Sequence, residues 1–181
     1  MRRLFSALVA VGLASLAATA VAQAQSARFG IGGGLVAPTS DYGTLDKAGW
    51  HLLGKMDIKI PMSPVGLRVD GLYGQTSHVA AFSPTGNTKL IGALANVVLN
   101  VPLPAPMVKP YLVAGGGMYH VKIATASGDT SETKFTYAAG AGLSMGAGPL
   151  HFFVEGRYVS VREGAGPMNF LPLTVGLTFG K

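Results

Sequence analysis

The chain of 181 residues contains no cysteine. That excludes disulfide frameworks, thiolate metal sites and cysteine nucleophiles, and it leaves no residue for a lipoprotein anchor. Charge is scarce as well. Asp, Glu, Lys and Arg make up 12% of the residues, where soluble domains carry about 25%. Beyond residue 24 no apolar run approaches the ~20 residues of a membrane helix, and helical periodicity is weak. The basic residues are scattered, with no basic stripe and no interleaved aromatics, so nucleic acid is not an expected partner. What the chain does have is apolar residues, at 49%, and 26 glycines. That is about twice the ordinary glycine share of ~7%. Disorder does not fit such a composition.

The N-terminus reads as an export signal. Arg2 and Arg3 form a positive region, Leu4 to Ala20 an apolar one, and Ala22-Gln23-Ala24 a cleavage site with Gln25 following. A signal peptide over 1–24 and one domain over 25–181 are therefore expected. Removing Arg2 and Arg3 leaves 12 basic against 8 acidic residues, a net charge of +4 instead of +6. This mild excess favours anionic outer-membrane lipid, lipopolysaccharide included, although solvated surface charge accounts for it equally.

After the signal, alternation with period two recurs between turn signals. It predicts eight strands, at about 28–37, 48–60, 65–76, 88–101, 110–123, 134–146, 150–162 and 169–180. Most reach the 9–11 residues that a tilted strand needs to cross a bilayer. Short links at 61–64 and 146–149, and a proline-rich one at 102–109, alternate with more polar links at 38–47, 77–86, 125–133 and 164–168. Short periplasmic turns and longer external loops are the pattern of outer-membrane barrels. With the N-terminus in the periplasm, the parity of the links agrees, and an even strand number returns the C-terminus to the same side.

The two faces of the strands differ. In the second strand Trp50, Leu52, Met56 and Ile58 alternate with His51, Lys55, Asp57 and Lys59. In the third, Val65, Leu67, Val69 and Tyr73 alternate with Arg68 and Asp70, and in the seventh Phe152, Val154 and Tyr158 alternate with His151, Glu155 and Arg157. Charges thus share one parity, which in a membrane barrel faces the lumen. Aromatics supply a second test. Phe29, Tyr111, Phe152 and Phe179 are expected as a lipid-facing belt at the periplasmic ends. Trp50, Tyr73, Tyr119, Phe135, Tyr137 and Tyr158, with Phe170, are expected as the external belt.

These features resemble the small outer-membrane β-barrel family that includes the OmpA transmembrane domain, OmpX and opacity-type porin-like proteins. The resemblance covers the whole mature chain, including the alternating last strand Leu171-Pro-Leu-Thr-Val-Gly-Leu-Thr-Phe179. It implies an all-β fold, a closed eight-stranded antiparallel up-and-down transmembrane barrel in the outer membrane of a Gram-negative bacterium. It also implies insertion by the barrel-assembly machinery, which reads a terminal aromatic. Here Gly180 and Lys181 follow Phe179.

Chemistry is sparse. Gly30-x-Gly32-Gly33-Gly34 and Gly140-x-Gly142 lack the following helix of a phosphate loop. In a narrow barrel they read instead as room for large side chains opposite. His51 and His120 are expected to share the inward parity near the external end, where wet lumenal histidines are the simpler account than a metal site. His78 with Ser77 and Ser83 is the nearest approach to a Ser/His set for a lipid-modifying enzyme, and it lacks an acid. Asp129 and Glu132 are too few for a calcium loop. No catalytic residue, cofactor or metal ligand is expected.

A lumenal charge network carries more. Symmetric pairing about the turn at 61–64 sets Lys55 opposite Asp70 and Asp57 opposite Arg68, with opposite signs in both pairs. Glu155 and Arg157 join from the seventh strand, across the ring from the third. The reading is a barrel with a structural or surface-interaction role, its lumen plugged by these six charges. The alternatives are a narrow porin-like channel for water, ions or small solutes and, third, an enzyme acting on outer-membrane lipid.

Overall fold

Alternation of Val, Leu, Ile and aromatic residues with small or polar ones produces strands, because one face meets lipid and the other a narrow interior. The computed structural model describes residues 27–39, 48–77, 87–103, 107–125, 128–162 and 168–180. The expected signal peptide and the links holding Asp41, Asp46, His78 and Ser83 lie outside them. Eight strands form: β1 (Ala27–Thr39), β2 (Gly49–Lys59), β3 (Val65–Ser77), β4 (Asn87–Asn100), β5 (Val108–Thr125), β6 (Gly128–Ala147), β7 (Leu150–Val161) and β8 (Met168–Phe179). Each pairs antiparallel with its neighbours, and β1 pairs with β8, closing the barrel.

One end of the barrel holds the short turns. At 61–64 the chain reverses with Met62 at a φ of 61°. Ser63 N donates to Ile60 O at 3.2 Å, and Ser63 Oγ accepts from Val65 N at 3.0 Å. Asn100 caps the same turn, its backbone N–H donating to Pro64 O at 2.8 Å. The β6–β7 turn relies on Gly146 and Gly148, with φ values of 142° and 68° that favour glycine. Gly180 N then donates to Pro149 O at 3.0 Å, so the end of β8 lies beside this turn. This is the turn end; the opposite one is the loop end.

At the loop end one expectation fails. Thr125 and residues 128–133, read as part of a polar link, instead belong to β5 and β6, which pair as far as Thr125 opposite Gly128. Asp129 and Glu132 therefore belong to a strand. Asp, Gly and Ser argue for a loop, but the intervening threonines suit a pleated surface, and cross-strand contacts hold the ribbon. Across the ribbon His120 and Thr133 hydrogen-bond at 3.1 Å, and along β6 Lys134 pairs with Glu132 at 3.1 Å.

The outward positions from Phe29 to Leu35, Trp50 to Ile58, Leu67 to Tyr73 and Leu171 to Phe179 are apolar and exposed or half-exposed. Phe29, Phe152 and Phe179 lie outward at the turn end, and Trp50, Tyr73, Phe135, Tyr137 and Tyr158 outward toward the loop end. Trp50 and Tyr73 meet with ring centroids 5.6 Å apart.

Candidate functional site

The lumen is where polar chemistry concentrates. β2 and β3 pair in the register set by their turn, with Lys55 opposite Asp70 and Asp57 opposite Arg68. β7 stands across the ring and brings Glu155 and Arg157 to the same depth. Arg68 donates from Nε to Asp57 Oδ1 and from Nη1 to Glu155 Oε2, the latter at 2.5 Å across the lumen. Arg157 donates from Nη2 to Asp70 Oδ2 at 2.7 Å and from Nε to Glu155 Oε1 at 2.6 Å. Lys55 Nζ lies 3.4 Å from Asp57 Oδ2. All six charges thus join one continuous set.

Side-chain partnering departs from backbone pairing at one point. Lys55 faces Asp70 across the ladder but pairs with Asp57 on its own strand. Asp70 is taken by Arg157 from across the lumen and by Asn96 Nδ2 at 3.0 Å. The narrow interior explains the exchange: a long side chain reaches the far wall as easily as its neighbour. Aromatic rings complete the set. Tyr111 Oη donates to Glu155 Oε2 at 2.8 Å. Lys55 Nζ sits 3.7 Å from the Phe153 ring centroid, and the Arg68 guanidinium 5.1 Å from that of Tyr111, both within cation–π range.

Tyr111 and Tyr119 correct the expected belts. Both point into the lumen, 4% and 1% exposed, and Phe170 is buried there as well. The β5 parity is therefore opposite to that expected, and His120 faces outward while His51 faces inward, so the two do not meet. Tyr111 and Tyr119 stand directly opposite Gly142 and Gly92. A Cβ at Gly142 would lie 2.5 Å from the Tyr111 hydroxyl, and one at Gly92 2.5 Å from Cε1 of Tyr119. Glycine opposite tyrosine was the signal in the sequence: the small residue vacates the volume that the ring fills. Phe153 uses Gly32 and Gly176 in the same way.

A second level of the lumen escaped sequence reasoning. Toward the loop end, Val36, Leu53, Leu72, Leu90, Leu94, Val121, Val159, Val161 and Met168 pack with Tyr119 and Phe170 into an apolar cluster. Tyr119 and Phe170 stack with centroids 6.1 Å apart. His51 hydrogen-bonds Thr174 at 2.8 Å beside this layer. Among the described residues no three His, Asp or Glu side chains are grouped so as to hold a metal ion. The arrangement can close a lumen and lock opposite walls together, its carboxylates engaged by cations.

Comparison with known proteins agrees with this architecture. Residues 6–179 match the family described as outer membrane protein beta-barrel domain. Neisserial surface protein A is similar in structure, with a TM-score of 0.67, 16% identity, and 86% of this chain and 97% of that one covered. Ail, the attachment invasion locus protein of Yersinia pestis, gives 0.53 at 22% identity, covering 84% and 97%. The N-terminal β-barrel domain of Pseudomonas aeruginosa OprF gives 0.51 at 16% identity, covering 87% and 100%. No curated protein matches the chain in sequence.

Proposed function

Because the chain belongs to the outer membrane protein beta-barrel domain family, we propose that it is a non-enzymatic barrel with a closed lumen, anchoring a structural or surface-interaction role at its loop end. The observation that carries this reading is the lumen itself. Arg68–Glu155 and Arg157–Asp70 tie β3 to β7 across the ring, and an apolar layer fills the level above them. Opening a pore would require both cross-lumen pairs to part and the apolar layer to separate. Charges buried in this way are costly unless they stay paired.

We place the turn end in the periplasm and the loop end outside, as link length and strand parity support. One structural neighbour is named a surface protein, neisserial surface protein A, and another an attachment invasion locus protein. A comparable exposed role for the β5–β6 ribbon is part of this proposal. Lys89 and Lys122 face each other on the outer wall near the loop end. With the mild basic excess of the chain, this outer-wall position supports lipopolysaccharide as a lipid partner. Insertion by the barrel-assembly machinery, reading Phe179 near the C-terminus, belongs to the same proposal.

The test is single-channel recording of the refolded protein in a planar bilayer. A closed lumen gives no steady conductance. A stable open level would overturn the structural reading in favour of a channel for ions or small solutes.

A further inference from the structure

At the turn end each strand contributes an inward residue near its end, and the ring they form is basic. It comprises Arg28 from β1, Lys59 from β2, Lys109 from β5 and His151 from β7, completed by Gly66, Asn100, Ser144 and Thr178. The ring contains no acid. Arg28, Lys59, Lys109 and His151 all lie on the inward parity of their strands. Their parity turns them toward the lumen axis and away from the lipid-facing wall. Among the described residues no carboxylate lies within ion-pair distance of Arg28, Lys59 or Lys109. Asp57 stands directly opposite Arg28 on β2, and its carboxylate is engaged by Arg68 and Lys55.

Below the ring lies a cavity of about 60 Å³. That is room for roughly two waters, each taking ≈ 30 Å³ of liquid volume. Arg28, Lys55, Lys59 and Arg68 line it against Asp57 as the sole acid, four positive charges against one negative. Asn100, Ser144 and Thr178 add neutral hydrogen-bonding groups on the same wall. Two polar atoms in this region are buried without a partner among the described residues, Arg28 Nε and His151 Nδ1. A buried donor left unpaired costs about 1–3 kcal/mol, more when charged. The balanced network deeper in the lumen shows that this chain does pair its inward charges; the excess at the mouth is a local departure from that rule.

We propose that this mouth is an oxyanion site, taking a phosphate-type group on Arg28 and Lys59 with Ser144 and Thr178 alongside. A guanidinium presents a planar fork to such oxygens, while an ammonium and hydroxyls adapt around them. The same chemistry is offered by free phosphate and by the phosphodiester of an anionic phospholipid headgroup reaching the rim.

Backbone amide spectra of the refolded barrel distinguish these sources. One arm titrates inorganic phosphate into protein held in phosphatidylcholine nanodiscs; the other raises the phosphatidylglycerol fraction of such nanodiscs stepwise without added phosphate. Saturable shifts at Arg28, Lys59, Ser144 and Thr178 in the first arm assign the site to a soluble oxyanion, and in the second to a headgroup. The Arg28→Gln/Lys59→Gln variant should weaken binding at least tenfold while keeping the barrel's dispersed spectrum. Arg162→Gln, at the loop end, should leave it unchanged. Absence of saturable shifts in both arms, or equal shifts in the double variant, overturns the proposal.

Discussion

At the scale of single residues, Arg68 is the hinge of the lumen, because it holds a carboxylate on its neighbouring strand and another across the ring. Removing one partner of a buried ion pair costs about 3–5 kcal/mol, since the other charge is left uncompensated. Arg68→Glu should therefore destabilise the barrel by about that amount in urea titrations monitored by tryptophan fluorescence, Trp50 being the only tryptophan. Adding Asp57→Arg should recover part of the loss, because the Asp57 side of the pair is restored with signs exchanged. Recovery should be incomplete, since the new carboxylate still faces Glu155. Strictly additive effects of the two changes would show that Asp57 and Arg68 are not coupled.

Strands set the next scale. In β3 the outward row Val65, Leu67, Val69, Gly71 and Tyr73 carries no charge, and the inward row holds Arg68 and Asp70. Val69 stands near the middle of this outward row and is 49% exposed on the barrel's outer wall. Val69→Arg should cost roughly 2–4 kcal/mol in bilayers, the penalty for an arginine at the midplane. Unfolding of the variant in lipid vesicles at unchanged denaturant concentration would contradict the parity of β3. The parity of this strand is legible because charge marks one face. β5 carries no such mark in its middle: Tyr111, Val113 and Tyr119 on one parity look as apolar as Leu112, Ala114 and Met118 on the other. Its inward face is settled only by the glycines opposite it on β4 and β6.

For the whole molecule, orientation is the property most open to test. With the turn end in the periplasm, protease added to intact cells should spare the 61–64 turn and cut the links at the opposite end. The described residues around Ser63 form a tight turn held by hydrogen bonds, so the same turn should also resist cleavage longer than the loops in permeabilised cells. Cleavage at 61–64 in intact cells would reverse the proposed orientation and would move the basic mouth to the outside surface.

The number of strands, the turn at 61–64 and the pairing of β2 with β3 follow from the sequence alone. These are local properties: period-two alternation sets the face, and a short turn sets the register of the hairpin it joins. Inward placement of Lys55, Asp57, Arg68, Asp70, Glu155 and Arg157 follows from the same parity. Only the closed ring decided which of these charges meet, because Asp70 and Glu155 find their arginines through contacts between strands that are not neighbours. The inward turn of Tyr111, Tyr119 and Phe170, the apolar layer around them and the continuation of β5 to Thr125 and of β6 from Gly128 were likewise decided in three dimensions. Their cause is the filling of a narrow interior, where one strand's glycine is another strand's room, and no single strand carries that information.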